Sequence, residues 1–175
     1  MIHLILLHSC VGLTAFDTLV TLLAKNEYKY VIAVPLSIGI TNAIRALALM
    51  IGPFIISNWI NKDRLLYVLV LQGLTIILWG MLQYNFYLSL IAVFMTGFFV
   101  TTIWSLTYAF IQEKVDHNYL GRVVSYNDML FMLSNVLTTL FIGVMAEIIP
   151  LKFITMLIGF GFIAYAYYYS KIKNL

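Results

Sequence analysis

The chain has 175 residues, of which 63% are hydrophobic and 10% are charged, and its formal net charge is +3. Together with a mean hydropathy of +0.98, this composition excludes a soluble globular domain of the same length. No basic run or basic helix face accumulates along the sequence, so the small positive charge does not indicate a nucleic-acid surface.

Long apolar stretches divide the chain into six predicted transmembrane helices, because a hydrocarbon core of about 30 Å needs about 20 apolar residues per helix. The predicted helices lie near residues 2–24, 31–59, 65–83, 86–110, 123–148 and 151–169. The stretches lack the alternation of barrel strands. The sequence therefore predicts an all-α polytopic membrane protein, a single six-helix transmembrane domain over residues 1–175, with a loop at residues 113–122.

Lys and Arg are unequally divided between the two sides of a six-helix zigzag. One side holds Lys62, Arg64, Lys114, Arg122, Lys171 and Lys173, and the other holds Lys25, Lys29 and Lys152. Cytoplasmic loops carry the excess of positive residues. We therefore expect a multi-pass protein of the inner (cytoplasmic) membrane with both termini in the cytoplasm.

Four of the predicted helices carry polar or small residues at helical spacing. These rows are Cys10, Thr14, Asp17 and Thr21 on the first helix; Ser37, Thr41, Arg45, Ala48 and Gly52 on the second; Gly97, Thr101, Trp104 and Tyr108 on the fourth; and Ser125, Asp128, Asn135, Thr139 and Gly143 on the fifth. The rows predict four helices around a polar interior, with the third and sixth helices outside. The alternative is that they are simple packing surfaces, because small residues let helix backbones approach.

Three ionisable residues, Asp17, Arg45 and Asp128, lie inside predicted helices. A charged side chain at the bilayer centre costs roughly 2.5–3.5 kcal/mol on insertion scales, and helix packing does not require it. At about 1.5 Å per residue, Arg45 lies axially between the two carboxylates, near the limit of reach of either. We predict that the three residues bind substrate or couple transport to protons, and the alternative is a permanent bridge that only fixes helix packing.

Six further residues are candidates for the lining of a cavity near Arg45: Thr41, Asn42, Thr101, Trp104, Tyr108 and Asn135. The face formed by Trp104 and Tyr108 has the character needed to stack on an aromatic or lipophilic cation. Packing within the core or at the lipid interface is the alternative for both rings.

Metal, cofactor and enzyme chemistry find little support in the sequence. Cys10 is the single cysteine, and His3, His8 and His117 are scattered, so we expect no metal site and no cofactor. We find neither a Gly-x-Ser-x-Gly nucleophile nor a His-Glu-x-x-His zinc helix, and we expect no enzymatic activity.

Two stretches resemble the eighth and eleventh helices of major facilitator superfamily transporters. They are residues 39–64, GITNAIRALALMIGPFIISNWINKDR, and residues 120–149, LGRVVSYNDMLFMLSNVLTTLFIGVMAEII. The Gly121-Arg122-Val123-Val124-Ser125 entry to a helix is similar to the branch that includes siderophore and macrolide exporters. The chain departs from the family at two places. In the loop after the second predicted helix, family members often have a Gly-Asp-Gly-Arg-type motif, of which this chain keeps only the charges of Lys62-Asp63-Arg64. In the fifth predicted helix, Leu133-Ser134-Asn135 stands where the family often has Pro-Leu-Gly.

The resemblance implies the C-terminal six-helix half of a secondary transporter, built of two inverted three-helix repeats, that exports a small amphipathic molecule in a proton-coupled reaction. The expected partners are membrane lipid, the small-molecule substrate and a second six-helix half. That half is encoded by the same gene, supplied by a separate chain, or provided by another copy, and we expect the first of these. The alternative from a different class is an inactive transporter fragment or a membrane assembly or regulatory subunit that does not transport.

Overall fold

The computed structural model describes residues 9–56 and 64–173, and the backbone over these ranges is helical apart from short turns. The predictions that concern His3, His8, Lys62 and Asp63, and the predicted end of the second helix at residue 59, lie outside the described residues. The prediction of an all-helical chain is confirmed for the part that the structure describes.

The described helices are α1 (Phe16–Asn26), α2 (Val34–Ile56), α3 (Leu65–Leu82), α4 (Phe86–Lys114), α5 (His117–Met145) and α6 (Leu151–Lys173). Five of these described helices, α2 to α6, are long and apolar enough to cross a membrane. By length and composition they indicate a membrane protein.

The turn between α4 and α5 is much shorter than the predicted loop at residues 113–122. α4 continues to Lys114 and α5 begins at His117, so only two residues separate the helices. The carboxylate of Asp116 accepts a hydrogen bond from the backbone N–H of Asn118 at 2.9 Å, which caps the first turn of α5. The prediction was wrong because it followed the end of the apolar pattern, whereas a capped helix also continues through charged residues.

The predicted first helix is interrupted at residues 13–15. Residues 9–12 are helical, and α1 begins at Phe16. Between them, Ala15 has a φ of 34° and a ψ of 47°, which is the left-handed region. A residue with a side chain pays about 1–2 kcal/mol in that region. The break directly follows Gly12.

α3 and α6 make the most extensive helix–helix contact of the described structure. Gly73 and Gly159 face each other, and a Cβ built on either one would lie 2.8 Å from the carbonyl oxygen of the other. The amide of Gln83, directly after α3, donates a hydrogen bond of 2.7 Å to the hydroxyl of Thr155 on α6. Gly-mediated contact together with an interhelical hydrogen bond is a common way for membrane helices to associate.

Gln72, which lies beside Gly73, is completely buried. Neither its amide nitrogen nor its amide oxygen has a hydrogen-bond partner among the described residues. A buried amide without partners costs about 1–3 kcal/mol in protein mutational data, so Gln72 is a local weakness in an otherwise tightly packed part of the fold.

The helices differ strongly in how much of their surface is covered by the described chain. Half of the apolar stretch is buried in α3 and in α4, against 17% in α2 and 11% in α5. α2 and α5 therefore present most of their surface outward, and both also border the cavity described below.

Candidate functional site

A cavity of about 600 Å³ lies among the first helical segment, α1, α2, α4 and α5. Its described lining consists of Val11, Thr14, Phe16, Asp17, Arg45, Leu49, Val100, Thr101, Trp104, Phe131, Met132, Asn135 and Val136. Within this described lining, α3 and α6 contribute no residue, which agrees with the predicted placement of the third and sixth helices outside a polar interior. The volume is within the range of small-molecule sites, about 300–1,000 Å³.

Arg45 and Asp17 form a loose ion pair at the edge of this cavity. Nη1 of Arg45 lies 3.8 Å from Oδ1 of Asp17, and the guanidinium lies 4.0 Å from the centre of the Phe16 ring. The Arg45 side chain is 27% exposed and the Asp17 side chain is 85% exposed. A separation of 3.8 Å allows attraction between the charges but is too long for a hydrogen bond.

The row of small residues around Arg45 packs α2 against α4. A Cβ built on Gly97 would lie 3.0 Å from Cβ of Ala48 and 3.2 Å from the carbonyl oxygen of Arg45, and one on Gly52 would lie 2.5 Å from Cγ2 of Thr101. The packing alternative is therefore right for this part of the row. The close approach of the two backbones involves Arg45 itself, which also lines the cavity.

Two predicted lining residues of α2 lie elsewhere. Thr41 is buried, and its hydroxyl donates a hydrogen bond of 2.7 Å to the carbonyl oxygen of Ser37 one turn earlier. Asn42 is exposed and is absent from the described cavity lining. Thr41 thus satisfies its own helix, while Asn42 belongs to the outward surface of α2.

Asp128 is held separately from Arg45, by Tyr108 of α4. The Tyr108 hydroxyl donates a short hydrogen bond to Oδ1 of Asp128, and Nδ2 of Asn127 donates to the same oxygen at 3.3 Å. Asn127 is completely buried, and its Oδ1 has no hydrogen-bond partner within the described ranges. Of the two carboxylates predicted near the limit of its reach, Arg45 pairs with that of Asp17, and Asp128 belongs to a second polar group with Tyr108 and Asn127.

Trp104 connects these two groups. Its ring contacts Phe131 edge to face at a centroid distance of 5.2 Å, and it lies 6.2 Å from the ring of Tyr108. Trp104 also lines the cavity and is 36% exposed. The packing alternative therefore holds for the contact of Trp104 with Phe131 of α5, and stacking of the ring on a bound cation stays a prediction.

Of the residues predicted from the sequence, the structure brings Asp17, Arg45, Thr101, Trp104 and Asn135 together around one cavity. Sequence reasoning missed Phe16, Phe131 and Asn127. The two phenylalanines are indistinguishable in sequence from those that fill helix interfaces. A signal for Asn127 was present, because an amide directly before Asp128 in an apolar helix is as unusual as the carboxylate itself.

The site is thus an open, mainly apolar cavity with one neutral ion pair at its edge and a second polar cluster one helix turn beyond its aromatic wall. Such an arrangement has the chemistry to hold an amphipathic molecule, with a charged end at the pair and an apolar body against the rings. Comparisons with protein-family models, with curated proteins and with solved structures find no match for this chain.

Proposed function

We propose that the chain forms the C-terminal six-helix half of a secondary active transporter of the major facilitator type, which exports a small amphipathic molecule in a proton-coupled reaction. One observation carries this proposal: the Arg45–Asp17 pair lies beside a cavity of about 600 Å³ among apolar helices. The family and the export direction are supported by the sequence resemblance.

The geometry of the Arg45–Asp17 pair favours a role in transport over that of a permanent bridge between helices. A bridge that only held helices together would be expected at hydrogen-bond distance and between packed surfaces. Arg45 and Asp17 are instead 3.8 Å apart beside an open volume.

A protein partner is supported by the exposure of Asp17. A carboxylate that is 85% exposed within a predicted transmembrane helix is costly if lipid covers it. We propose that a second six-helix half covers the open side of the cavity and packs against the outward surfaces of α2 and α5. That half belongs to the same gene, to a separate chain or to a second copy.

The same uncovered surfaces favour a second candidate function, a membrane assembly or regulatory subunit. Only 11% of the apolar stretch of α5 is buried, which also suits a helix that docks onto another membrane protein. In that case the pair would have no role in moving a solute, and a stable partner in fixed stoichiometry would be purified with the chain from native membranes.

The test is transport by the complete protein, with any partner that copurifies, in vesicles that contain a pH-sensitive dye. A panel of amphipathic anions, cations and neutral compounds is added under an imposed pH gradient, and proton flux through the membrane is recorded. We expect compound-dependent flux that is lost in Arg45→Gln and in Asp17→Asn. The matched control is Arg122→Gln, which removes an exposed arginine outside the cavity.

Flux that stays normal in both cavity variants would refute the coupling role. Absence of compound-dependent flux in the natural protein, together with a stable partner whose function is unaffected by Arg45→Gln, would establish the assembly subunit instead.

A further inference from the structure

A second concave site, of about 340 Å³, lies where α1 and α3 end and α6 begins. We call it the interfacial cleft, and its lining includes Glu27, Gly80, Met81, Gln83, Tyr84 and Lys152. It shares no residue with the described lining of the Arg45 cavity. Glu27 directly follows α1 and Gln83 directly follows α3, so the ends of these helices place both side chains at the cleft.

The interfacial cleft lies at an end of the helices that has the residues of a membrane surface. The neighbouring helix ends and turns carry the exposed tyrosines Tyr30 and Tyr84 and the exposed lysines Lys25 and Lys29. Tyrosine is enriched at the level of lipid headgroups, where its ring is in an apolar layer and its hydroxyl reaches water. α3 and α6, which border the cleft, are the helices predicted to lie outside the polar interior. The cleft is therefore placed to meet lipid headgroups.

Gln83 supplies a hydrogen-bond acceptor that no described residue uses. Its side chain is only 3% exposed, and its Nε2 donates to the Thr155 hydroxyl at 2.7 Å. That hydroxyl donates its one proton to the carbonyl oxygen of Leu151 at 3.0 Å, which fixes the amide with its nitrogen towards Thr155. Oε1 of Gln83 is buried and has no hydrogen-bond partner among the described residues. A buried acceptor without a partner is costly, so a ligand that carries an N–H group would be stabilised here.

Glu27 and Lys152 give the interfacial cleft one negative and one positive side chain. Both side chains are exposed, and no ion pair joins them to each other or to another residue of the described ranges. Lys152 lies in the first turn of α6, where the first backbone N–H groups have no partner within the helix and the helix dipole attracts an anion. The cleft therefore presents a place for a negative group beside Lys152 and a place for a positive group beside Glu27.

We propose that the interfacial cleft binds the headgroup of a phospholipid that carries a phosphate and a primary ammonium, as phosphatidylethanolamine does. The phosphate contacts Lys152 and the start of α6, and the ammonium contacts Glu27 and donates a hydrogen bond to Oε1 of Gln83. The acyl chains lie beside the exposed side chain of Met81, on the lipid side of α3. The quaternary ammonium of phosphatidylcholine has no N–H for Gln83, and phosphatidylglycerol has no positive charge for Glu27. The cleft therefore selects phosphatidylethanolamine over both.

The experiment measures lipid binding to the complete protein in a mild detergent by native mass spectrometry, which resolves each bound lipid by its mass. Dioctanoyl phosphatidylethanolamine, phosphatidylcholine and phosphatidylglycerol compete at equal concentrations, and glycerophosphoethanolamine is added separately as the headgroup without chains. We expect the first bound lipid to be phosphatidylethanolamine, with an affinity about tenfold above that of either competitor, because a charged donor satisfies a buried acceptor. The free headgroup should bind more weakly than the lipid, because it buries no acyl chain.

Variants assign the parts of the headgroup to the parts of the cleft. Glu27→Gln and Lys152→Gln should each weaken binding of phosphatidylethanolamine by about two- to fivefold, since both charges are exposed. The matched controls are Glu147→Gln and Lys29→Gln, which remove exposed charges at the same end of the helices but outside the cleft lining, and which should change nothing. Gln83→Leu keeps the size of the side chain and removes the acceptor, so it should abolish the preference for phosphatidylethanolamine over phosphatidylcholine.

Three outcomes would overturn the proposal. Equal binding of phosphatidylcholine would identify a cleft that takes any lipid, and tighter binding of phosphatidylglycerol would identify a site for anions alone. Binding of glycerophosphoethanolamine as tight as that of the lipid would identify a site for a water-soluble molecule. If Gln83→Leu does not fold, the comparison of headgroups and the two charge variants still decide between these results. Lipid binding at the cleft requires no transport, so loss of the transport function proposed above would leave it unaffected.

Discussion

Replacing Gly159 by alanine should destabilise the protein by separating α3 from α6. The added Cβ would lie 2.6 Å from Cγ1 of Ile77, 2.8 Å from the carbonyl oxygen of Gly73 and 3.0 Å from the backbone N of Ile77. The side chain of Ile77 can rotate away, but the two backbone atoms belong to a helix and move only with it. The helices must therefore shift apart.

The size of the effect follows from two opposing terms. Overfilling a packed interface costs typically about 1–3 kcal/mol, while alanine in a helix gains about 0.5–1 kcal/mol over glycine. Gly161→Ala provides the matched control, since it lies on the same helix and a Cβ there would meet no atom within 4 Å. We expect Gly159→Ala to be less stable than Gly161→Ala by about 1–3 kcal/mol.

The assay is reversible unfolding in mixed micelles of a mild detergent and dodecyl sulfate, followed by tryptophan fluorescence, with both variants and the natural protein measured in parallel. Trp79 of α3 is buried in the core and reports on this region directly. Equal unfolding midpoints for the two variants would mean that α3 and α6 do not approach at Gly159, and would refute the packing described above.

Three further predictions concern polar residues. Gln72→Leu should stabilise the chain by about 1–2 kcal/mol in the same unfolding assay, because it removes a buried amide that has no described partner. Tyr108→Phe should destabilise it by about 1.5–3 kcal/mol, because the hydroxyl donates to the Asp128 carboxylate. In a background without the native cysteine, Asn135→Cys at the cavity should react with a charged water-soluble thiol reagent, whereas Leu140→Cys on the outward face of α5 should not.

Each of these predictions has its own contrary result. A loss of stability in Gln72→Leu would show that the amide has partners in the membrane. An unchanged midpoint in Tyr108→Phe would show that Asp128 is stabilised by other groups. Equal reactivity of the two introduced cysteines, measured by gel shift in intact membranes, would show that the cavity is not selectively open to water.

The sequence predicted the helices well because apolar length is a strong signal in a membrane protein. The starts of α3, α4 and α6 coincide with the predicted residues 65, 86 and 151. α5 begins six residues before its predicted start at residue 123, since charged residues also form helix once Asp116 caps the first turn. Hydropathy locates what lies in lipid, and hydrogen bonding decides where a helix ends.

The break at Ala15 has only a weak signal in the sequence. Glycine and proline are the usual markers of a break, and Gly12 lies directly before residues 13–15, which contain neither. The break does not affect the axial count from residue 24 to Asp17, which lies wholly within α1, and that count placed Asp17 near the limit of reach of Arg45. The observed contact is 3.8 Å.

To predict which of the remaining residues face the cavity, one must know how each helix is rotated about its own axis. A row of polar residues determines that rotation only roughly. Thr101 and Trp104 face the cavity as predicted, whereas Thr41 bonds to its own helix and Asn42 faces outward. Thr41 and Asn42 are adjacent in sequence and about 100° apart on the helix, so a single row cannot assign both.

The Arg45–Asp17 pair has a consequence for how this protein responds to the membrane voltage. A potential of 100 mV does about 2.3 kcal/mol of work on each elementary charge that crosses it. A guanidinium and a carboxylate that are 3.8 Å apart carry no net charge when they move as a unit, so the field does no work on their joint displacement. Without either one of the two charges, the same displacement would carry net charge through the membrane field. The equilibrium of that displacement would then depend on the membrane voltage.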